Sequence, residues 1–152
     1  MNKESIWIKN PLAILADNSE GGIVVQGREI IELVAQGKTP ETNIDHVYSA
    51  SNSVILPGLI NTHHHFYQTL TRAYPEALNQ ELFPWLKSLY KVWANIQPEM
   101  HAVATELALA ELLLSGCTTA SDHHYLFPPQ LENAIDIQVE QAHKIGMRVV
   151  LT

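Results

Sequence analysis

Two textures of apolar and polar positions divide the chain. Up to about residue 53, apolar residues come in short Ile- and Val-rich runs, at Ser5–Lys9, Gly22–Gln26 and Glu29–Val34, which read as strands. Gly27-Arg28 joins the last two at hairpin length. A fourth strand is expected over 46–50, and Ser49, Ser51, Asn52 and Ser53 mark a turn or linker. From Val54 onward, strand-like runs alternate with helical ones. Residues 54–61 form an apolar run that reads as one buried strand. Residues 82–95 read as a helix with Pro84 in its first turn, and 99–115 as a second, with Pro98 at its start and Gly116 past its end. Cys117–Asp122 reads as a strand, Pro128-Pro129 breaks the chain, 131–145 reads as a helix stopped by Gly146, and 147–152 as a last strand. Periodicity predicts an inward stripe of Val103, Leu107, Ala110 and Leu114, widened by Ala104, Ala108 and Leu112, on the second helix. On the third it predicts Leu131, Ile135, Val139 and Ala142 facing inward.

The order β-α-β-α-β after residue 54 is the sign of parallel strands with crossover helices, hence an α/β fold. The expected organisation is a strand-rich domain over 1–53 and the opening of a parallel barrel over 54–152. A complete (β/α)₈ barrel takes about 250 residues, so the reading expects a longer protein, truncated here after three strands.

Composition narrows the function. With 9 Lys+Arg against 16 Asp+Glu, the net charge of −7 disfavours an electrostatic nucleic-acid partner. At 46% hydrophobic and 16% charged, the chain has a core-forming composition. A single cysteine, Cys117, precludes an intrachain disulfide and suits an intracellular, cytoplasmic site. It reads as a small buried hydrophobe rather than a nucleophile. The start lacks the apolar core of a signal peptide, and no stretch approaches the roughly 20 apolar residues of a membrane span.

The candidate chemistry is His63-His64-His65, directly after the apolar run. Successive side chains on a strand point to opposite faces, so His63 and His65 are expected on one side and His64 on the other. Two imidazoles at a strand's C-terminal end can share one divalent metal, and that end is where parallel barrels build active sites. The pattern predicts a metal-activated water and hydrolysis. Zn²⁺ is favoured and Fe²⁺ is compatible, because imidazole suits both. Asp122, His123 and His124 end the second strand, so at least one should face the same mouth, or act as an orienting partner to the metal ligands. Arg72 is a candidate for pairing with a carboxylate near the site. Trp85, Tyr90 and Trp93 have helical spacing and are expected to pack, with capping of the pocket or an oligomer contact as the alternatives. His46, His101 and His143 carry no motif and read as surface or packing residues.

The segment Leu56-Pro57-Gly58-Leu59-Ile60-Asn61-Thr62-His63-His64-His65 resembles the first barrel strand of the amidohydrolase superfamily. His63-x-His65-x-x-Gln68 resembles its purine and pyrimidine deaminase branch. The longer words His64 to Arg72, Leu82 to Lys87 and Ser115 to Pro128 are similar to 8-oxoguanine deaminases, with hydroxytriazine aminohydrolases sharing much of the texture. The resemblance implies a metal-dependent (β/α)₈ TIM barrel of which residues 54–152 supply the first three β/α units, preceded by part of a small β-sandwich in 1–53. It implies His63 and His65 as metal ligands and Gln68 as a substrate-reading amide, suited to a purine edge because it offers both a donor and an acceptor. It implies hydrolysis of an exocyclic amine, 8-oxoguanine giving urate and ammonia, in a homo-oligomeric parent with a small purine-like substrate. The catalytic acid/base group and the remaining ligands are expected beyond Thr152, leaving this stretch alone inactive. The alternatives are a hydroxytriazine or other N-heterocycle aminohydrolase, and a non-catalytic fragment.

Overall fold

The computed structural model describes residues 4–152. The chain divides between Pro57 and Gly58 into two compact units. In the first, β1 (Ser5–Lys9), β3 (Gly22–Gln26), β4 (Glu29–Val34) and β5 (His46–Ser49) form a sheet in the order β4-β3-β1-β5, while β2 (Ala13–Ile14) and β6 (Val54–Ile55) form a separate parallel pair. The β3–β4 pairing is antiparallel, as the Gly27-Arg28 connection predicts, with an irregularity at Val24/Val25. Trp7, Val24 and Val34 make the core, with Ile44 packed on it, and the Trp7 indole N–H donates to the Gly21 carbonyl at 3.2 Å. Gly22 is obligatory: its φ is +113°, and a Cβ there would lie 1.9 Å from the Ile8 carbonyl oxygen.

The second unit contains β7 (Leu59–His64), α1 (Leu82–Trp93), α2 (Pro98–Leu114), β8 (Cys117–Asp122), α3 (Ala134–Ile145) and β9 (Arg148–Leu151). Its three strands are parallel in the order β7-β8-β9, the mixed α/β arrangement that the alternating pattern predicts. The apolar run expected as one strand over 54–61 is instead split. Val54–Ile55 pairs with Ala13–Ile14, the chain leaves extended pairing through Leu56-Pro57-Gly58, and β7 starts at Leu59 and reaches His64. Pro57 has no N–H to give a ladder. Gly58 stands so close to Thr118 that a Cβ would meet that side chain at 2.2–2.8 Å. Each local feature interrupts the strand.

Phe66, Ala108, Leu109, Cys117, Ala120, Ala142 and Met147 form one buried cluster joining sheet to helices. Tyr67, Leu89, Trp93, Ile96, Leu126 and Leu131 belong to a second, where the Trp93 indole donates to Thr71 Oγ1 at 3.0 Å. Within the first cluster the Cys117 thiol is buried and donates to the Thr119 carbonyl at 3.1 Å. Among the described residues no helix is long and apolar enough to cross a membrane.

Two helix faces differ in part from the sequence expectation, although Ala104, Ala108 and Ala142 are buried as expected. On α2 the stripe Val103, Leu107 and Leu114 is exposed, at 60%, 43% and 89%, and the buried face is His101, Ala104, Thr105, Ala108 and Leu109. This helix is apolar on nearly every side, so period alone does not choose a face. The small Ala104 and Ala108 allow close approach of the segment after β7, where Thr69 Oγ1 donates to the Ala104 carbonyl at 3.2 Å. Each of the two inward polar residues finds a backbone carbonyl, while His101 Nδ1 is buried without a partner. Thr105 Oγ1 donates to the His101 carbonyl at 2.9 Å, and the His101 Nε2–H reaches the Ala134 carbonyl at 3.2 Å. On α3, Val139 is 52% exposed and the buried positions are Ala134, Ile137, Gln138, Gln141 and Ala142, because Gln138 serves a buried carboxylate described below. Leu131 lies before this helix, in a short 3₁₀ turn over Pro129–Leu131, and is buried as expected.

Candidate metal and substrate site

The site is built where β7 ends. The chain passes from His64 through His65 into a 3₁₀ segment, Phe66–Thr71, whose start is pinned by Gln68 N–H donating to the His65 carbonyl at 3.0 Å. His63, His64, His65, Gln68, Thr71 and Arg72 contribute to an open cleft of about 440 Å³, with Trp85 of α1 on its wall. Trp85 also packs on Trp93, their ring centroids 5.5 Å apart.

The His63 and His65 rings lie edge to face with centroids 4.9 Å apart, so the alternation expected of a strand end brings this pair together. The His65 Nδ1 is 2.7 Å from the His123 carbonyl oxygen. A carbonyl only accepts, so Nδ1 carries the proton and the lone pair is on Nε2. His64 differs: it is half-buried beside Phe66 with its Nδ1 buried and unpartnered, and burial pushes its pKa down.

This donor set fits a divalent metal. Two imidazoles bound at Zn–N distances of roughly 2.0–2.1 Å to one tetrahedral ion place their ring centroids about 5 Å apart, close to the separation seen here. A ligating histidine characteristically donates its other ring N–H to a carbonyl or carboxylate, as His65 does to His123. Among the described residues no group of three or more His, Cys, Asp or Glu side chains is arranged to hold a metal, so this pair would supply only part of a ligand set.

Gln68 stands three residues beyond His65, and its Nε2 lies 3.5 Å from the Tyr67 hydroxyl and 3.4 Å from the Tyr125 hydroxyl. Tyr125 stacks edge-on against His65 at 5.4 Å, tying the amide to the histidine pair. Burial, first of all, raises the Tyr67 pKa, so its hydroxyl stays protonated. Arg72 forms a two-pronged ion pair with Glu111 of α2, at 2.7 Å and 2.5 Å. The hydrogen bond from Arg72 draws the Glu111 pKa down.

Asp122, His123 and His124 diverge sharply. His123 is exposed and its ring approaches His65 at 5.8 Å, making it the member of the trio that faces the site. Asp122 is fully buried and turned away from the cleft. Its Oδ1 accepts the Phe66 N–H at 2.6 Å and its Oδ2 accepts the Gln138 amide at 2.6 Å. Burial raises its pKa, and those two hydrogen bonds oppose the rise. His124 is also buried, with Nε2–H donating to the Leu126 carbonyl at 2.7 Å and its ring packed on His101 at 4.8 Å. Burial depresses its pKa, and its Nδ1 stays 4.0 Å from Asp122 Oδ2, beyond hydrogen-bond reach.

Sequence reasoning did not single out Gln138 or Tyr125. A carboxylate at the end of a buried strand demands donors, and an amide in the next helix is the signal that points to Gln138. Tyr125 follows the His123-His124 pair, and only its proximity to His65 distinguishes it.

Comparison with known proteins matches residues 54–152 to the amidohydrolase family. Over 149 residues the chain is 57% identical to 8-oxoguanine deaminase of Pseudomonas aeruginosa, covering 96% of this chain and 33% of that protein. It is 36% identical over 107 residues to isoxanthopterin deaminase from an unknown prokaryotic organism, covering 69% of this chain and 22% of the relative. A crystal structure of an atrazine chlorohydrolase variant from Arthrobacter aurescens TC1, complexed with zinc and atraton, superimposes with a TM-score of 0.83 at 25% identity, covering 97% of this chain and 35% of that one. The chain thus spans about a third or less of the length of these relatives. With a family match over most of its length, this chain belongs to the amidohydrolase family.

Proposed function

We propose that the protein carrying this chain is a metal-dependent aminohydrolase that converts 8-oxoguanine and water to urate and ammonia. The observation that carries the reading is the His63–His65 pair, with His65 held by its Nδ1–H so that Nε2 is free to ligate. The deaminase relative at 57% identity supports the choice of substrate. Zinc is the preferred ion, in keeping with the zinc-complexed structural relative, and Fe²⁺ is compatible with the same imidazoles. In this reading β7, β8 and β9 are the first three strands of a (β/α)₈ barrel over 54–152, and residues 1–53 are part of a small β-sandwich.

A bound divalent ion supplies hydroxide near neutral pH by lowering the pKa of its water toward ~7. His63 and His65 hold that ion from the end of β7. Gln68 binds the heterocycle by its amide, orienting the amine-bearing carbon. Arg72, tied to Glu111, holds the segment that follows Gln68. The remaining ligands and the group that moves the proton to the leaving amine are assigned to the part of the enzyme that this chain does not span.

The test is ammonia release by the full-length protein with 8-oxoguanine, guanine and a hydroxytriazine offered in parallel. We expect 8-oxoguanine to have the highest kcat/KM. Faster turnover of the triazine shifts the assignment to that substrate class, and no turnover of any of the three by the metal-loaded protein rejects the aminohydrolase reading.

A further inference from the structure

The ends of β7 and β8 are cross-braced around one residue. His123 N–H donates to the His64 carbonyl at 2.9 Å, His65 Nδ1–H donates to the His123 carbonyl at 2.7 Å, and Phe66 N–H donates to Asp122 Oδ1 at 2.6 Å. Three consecutive residues, 64 to 66, are therefore tied to two consecutive residues, 122 and 123. Only one of these ties is made by a side chain of β8, and that side chain is a fully buried carboxylate. Burying a carboxylate is costly unless it is hydrogen-bonded. Here the second oxygen is engaged by Gln138 of α3, itself fully buried. A hydrogen bond to a carboxylate is roughly twice as strong as a neutral one, so the Phe66 N–H is held firmly. An apolar residue at 122 would fill space without holding it.

From this geometry we infer that Asp122, seated by Gln138, is a positioning residue for the His65 imidazole. It fixes the backbone on the C-terminal side of His65, while the His64–His123 bond fixes it on the N-terminal side. With both flanks fixed, the ring's Nδ1–H meets the His123 carbonyl and Nε2 is kept for the metal. Asp122 touches neither metal nor substrate. The role rests on the proposed ligation by His65, and it adds a buried brace linking α3 to the metal pair.

The experiment uses the full-length protein stripped of metal, with Zn²⁺ titrated against a chromophoric chelator. Asp122→Ala removes both bonds. Asp122→Asn keeps an oxygen for Phe66 N–H, and rotation of the Gln138 amide lets its Oε1 accept from the new amide. We expect Asp122→Ala to weaken Zn²⁺ binding by about 10–100-fold, the range for a lost outer partner of a ligand, and Asp122→Asn to recover most of that loss. The ¹⁵N signals of the His65 ring in the metal-free Asp122→Asn protein should still report Nδ1–H, and Gln138→Ala should show a smaller loss of Zn²⁺ affinity than Asp122→Ala. If Asp122→Ala is too unstable to study, Gln138→Ala decides the matter. Unchanged Zn²⁺ affinity in Gln138→Ala, whatever its melting temperature, overturns the positioning role and leaves Asp122 a packing residue. His65→Ala separates this failure from the broader one. If it binds Zn²⁺ as the unaltered protein does, ligation by His65 is itself wrong; if it loses Zn²⁺ while the Asp122 and Gln138 variants do not, only the brace is wrong.

Discussion

Two histidine pairs in the same unit show how environment divides one residue type into two roles. His63 and His65 stand at an open cleft with ring edges available, one of them oriented by a carbonyl. His101 and His124 stand ring against ring in the interior, each Nε2–H spent on a backbone carbonyl and each Nδ1 sealed from solvent. The ring separations are nearly the same, 4.9 Å and 4.8 Å, so proximity does not distinguish them. Access does. A pair at a cleft can gain an ion from water, whereas a pair in the core must stay uncharged and serve as packing.

The sharpest way to break this contrast is to remove a ring from each side. His63→Ala or His65→Ala should cost at least about a hundredfold in Zn²⁺ affinity, more than an outer partner would, and abolish ammonia release, with thermal unfolding of the metal-free protein little changed. A retained affinity would mean that the cleft pair is not a metal pair. The interior pair should show itself through acid. Burial, followed by the neighbouring His124, pushes the His101 pKa down to about 4, against 6.5 in the unfolded chain. The folded state therefore binds fewer protons than the unfolded one between those values. The stabilisation is complete above about pH 6.5, falls as pH drops through that window, and is lost by pH 4, a change of roughly 3 kcal/mol. The depressed pKa of His124 acts with the same sign. Denaturant unfolding at pH 7.5, 6 and 4.5 measures it, and a His101→Gln variant with an unaltered slope would remove His101 as the cause.

Smaller effects sharpen the cleft side. Gln68→Ala should lower kcat/KM by roughly tenfold or more, the worth of a lost site hydrogen bond, while metal content stays stoichiometric; an unchanged kcat/KM takes Gln68 out of substrate binding. Arg72→Ala should do least. Its partner Glu111 and Arg72 itself are both exposed, so the pair is screened by water and the melting temperature should stay within about two degrees.

Much of this was legible in the sequence because the relevant signals were local. Pro98 and Gly116 bracket α2, Gly146 ends α3 with φ +80°, and the His-x-His at a strand end brings two rings together. The strand break at Leu56-Pro57-Gly58 was also marked locally, but the apolar residues around it masked it. What stayed illegible depended on partners distant in sequence. The inward face of α2 is chosen by small residues and by His101, a polar side chain that a hydrophobic count assigns to the surface. The inward face of α3 is chosen by Gln138, because a carboxylate 16 residues earlier needs its amide. The fates of His123 and His124, adjacent in sequence, split just past the end of β8, where one ring turns toward His65 and the other into the core.

The buried thiol of Cys117 has a practical consequence. It is the chain's one sulfhydryl, and it lies in the cluster that joins β8 to the helices. A reagent that labels free thiols can reach it only when that cluster opens. Labelling kinetics followed by mass spectrometry would therefore act as a built-in clock for breathing of the unit that bears His63 and His65, without any introduced probe. If zinc slows the clock, the ion is felt at the opposite end of the strands from the proposed His63–His65 site.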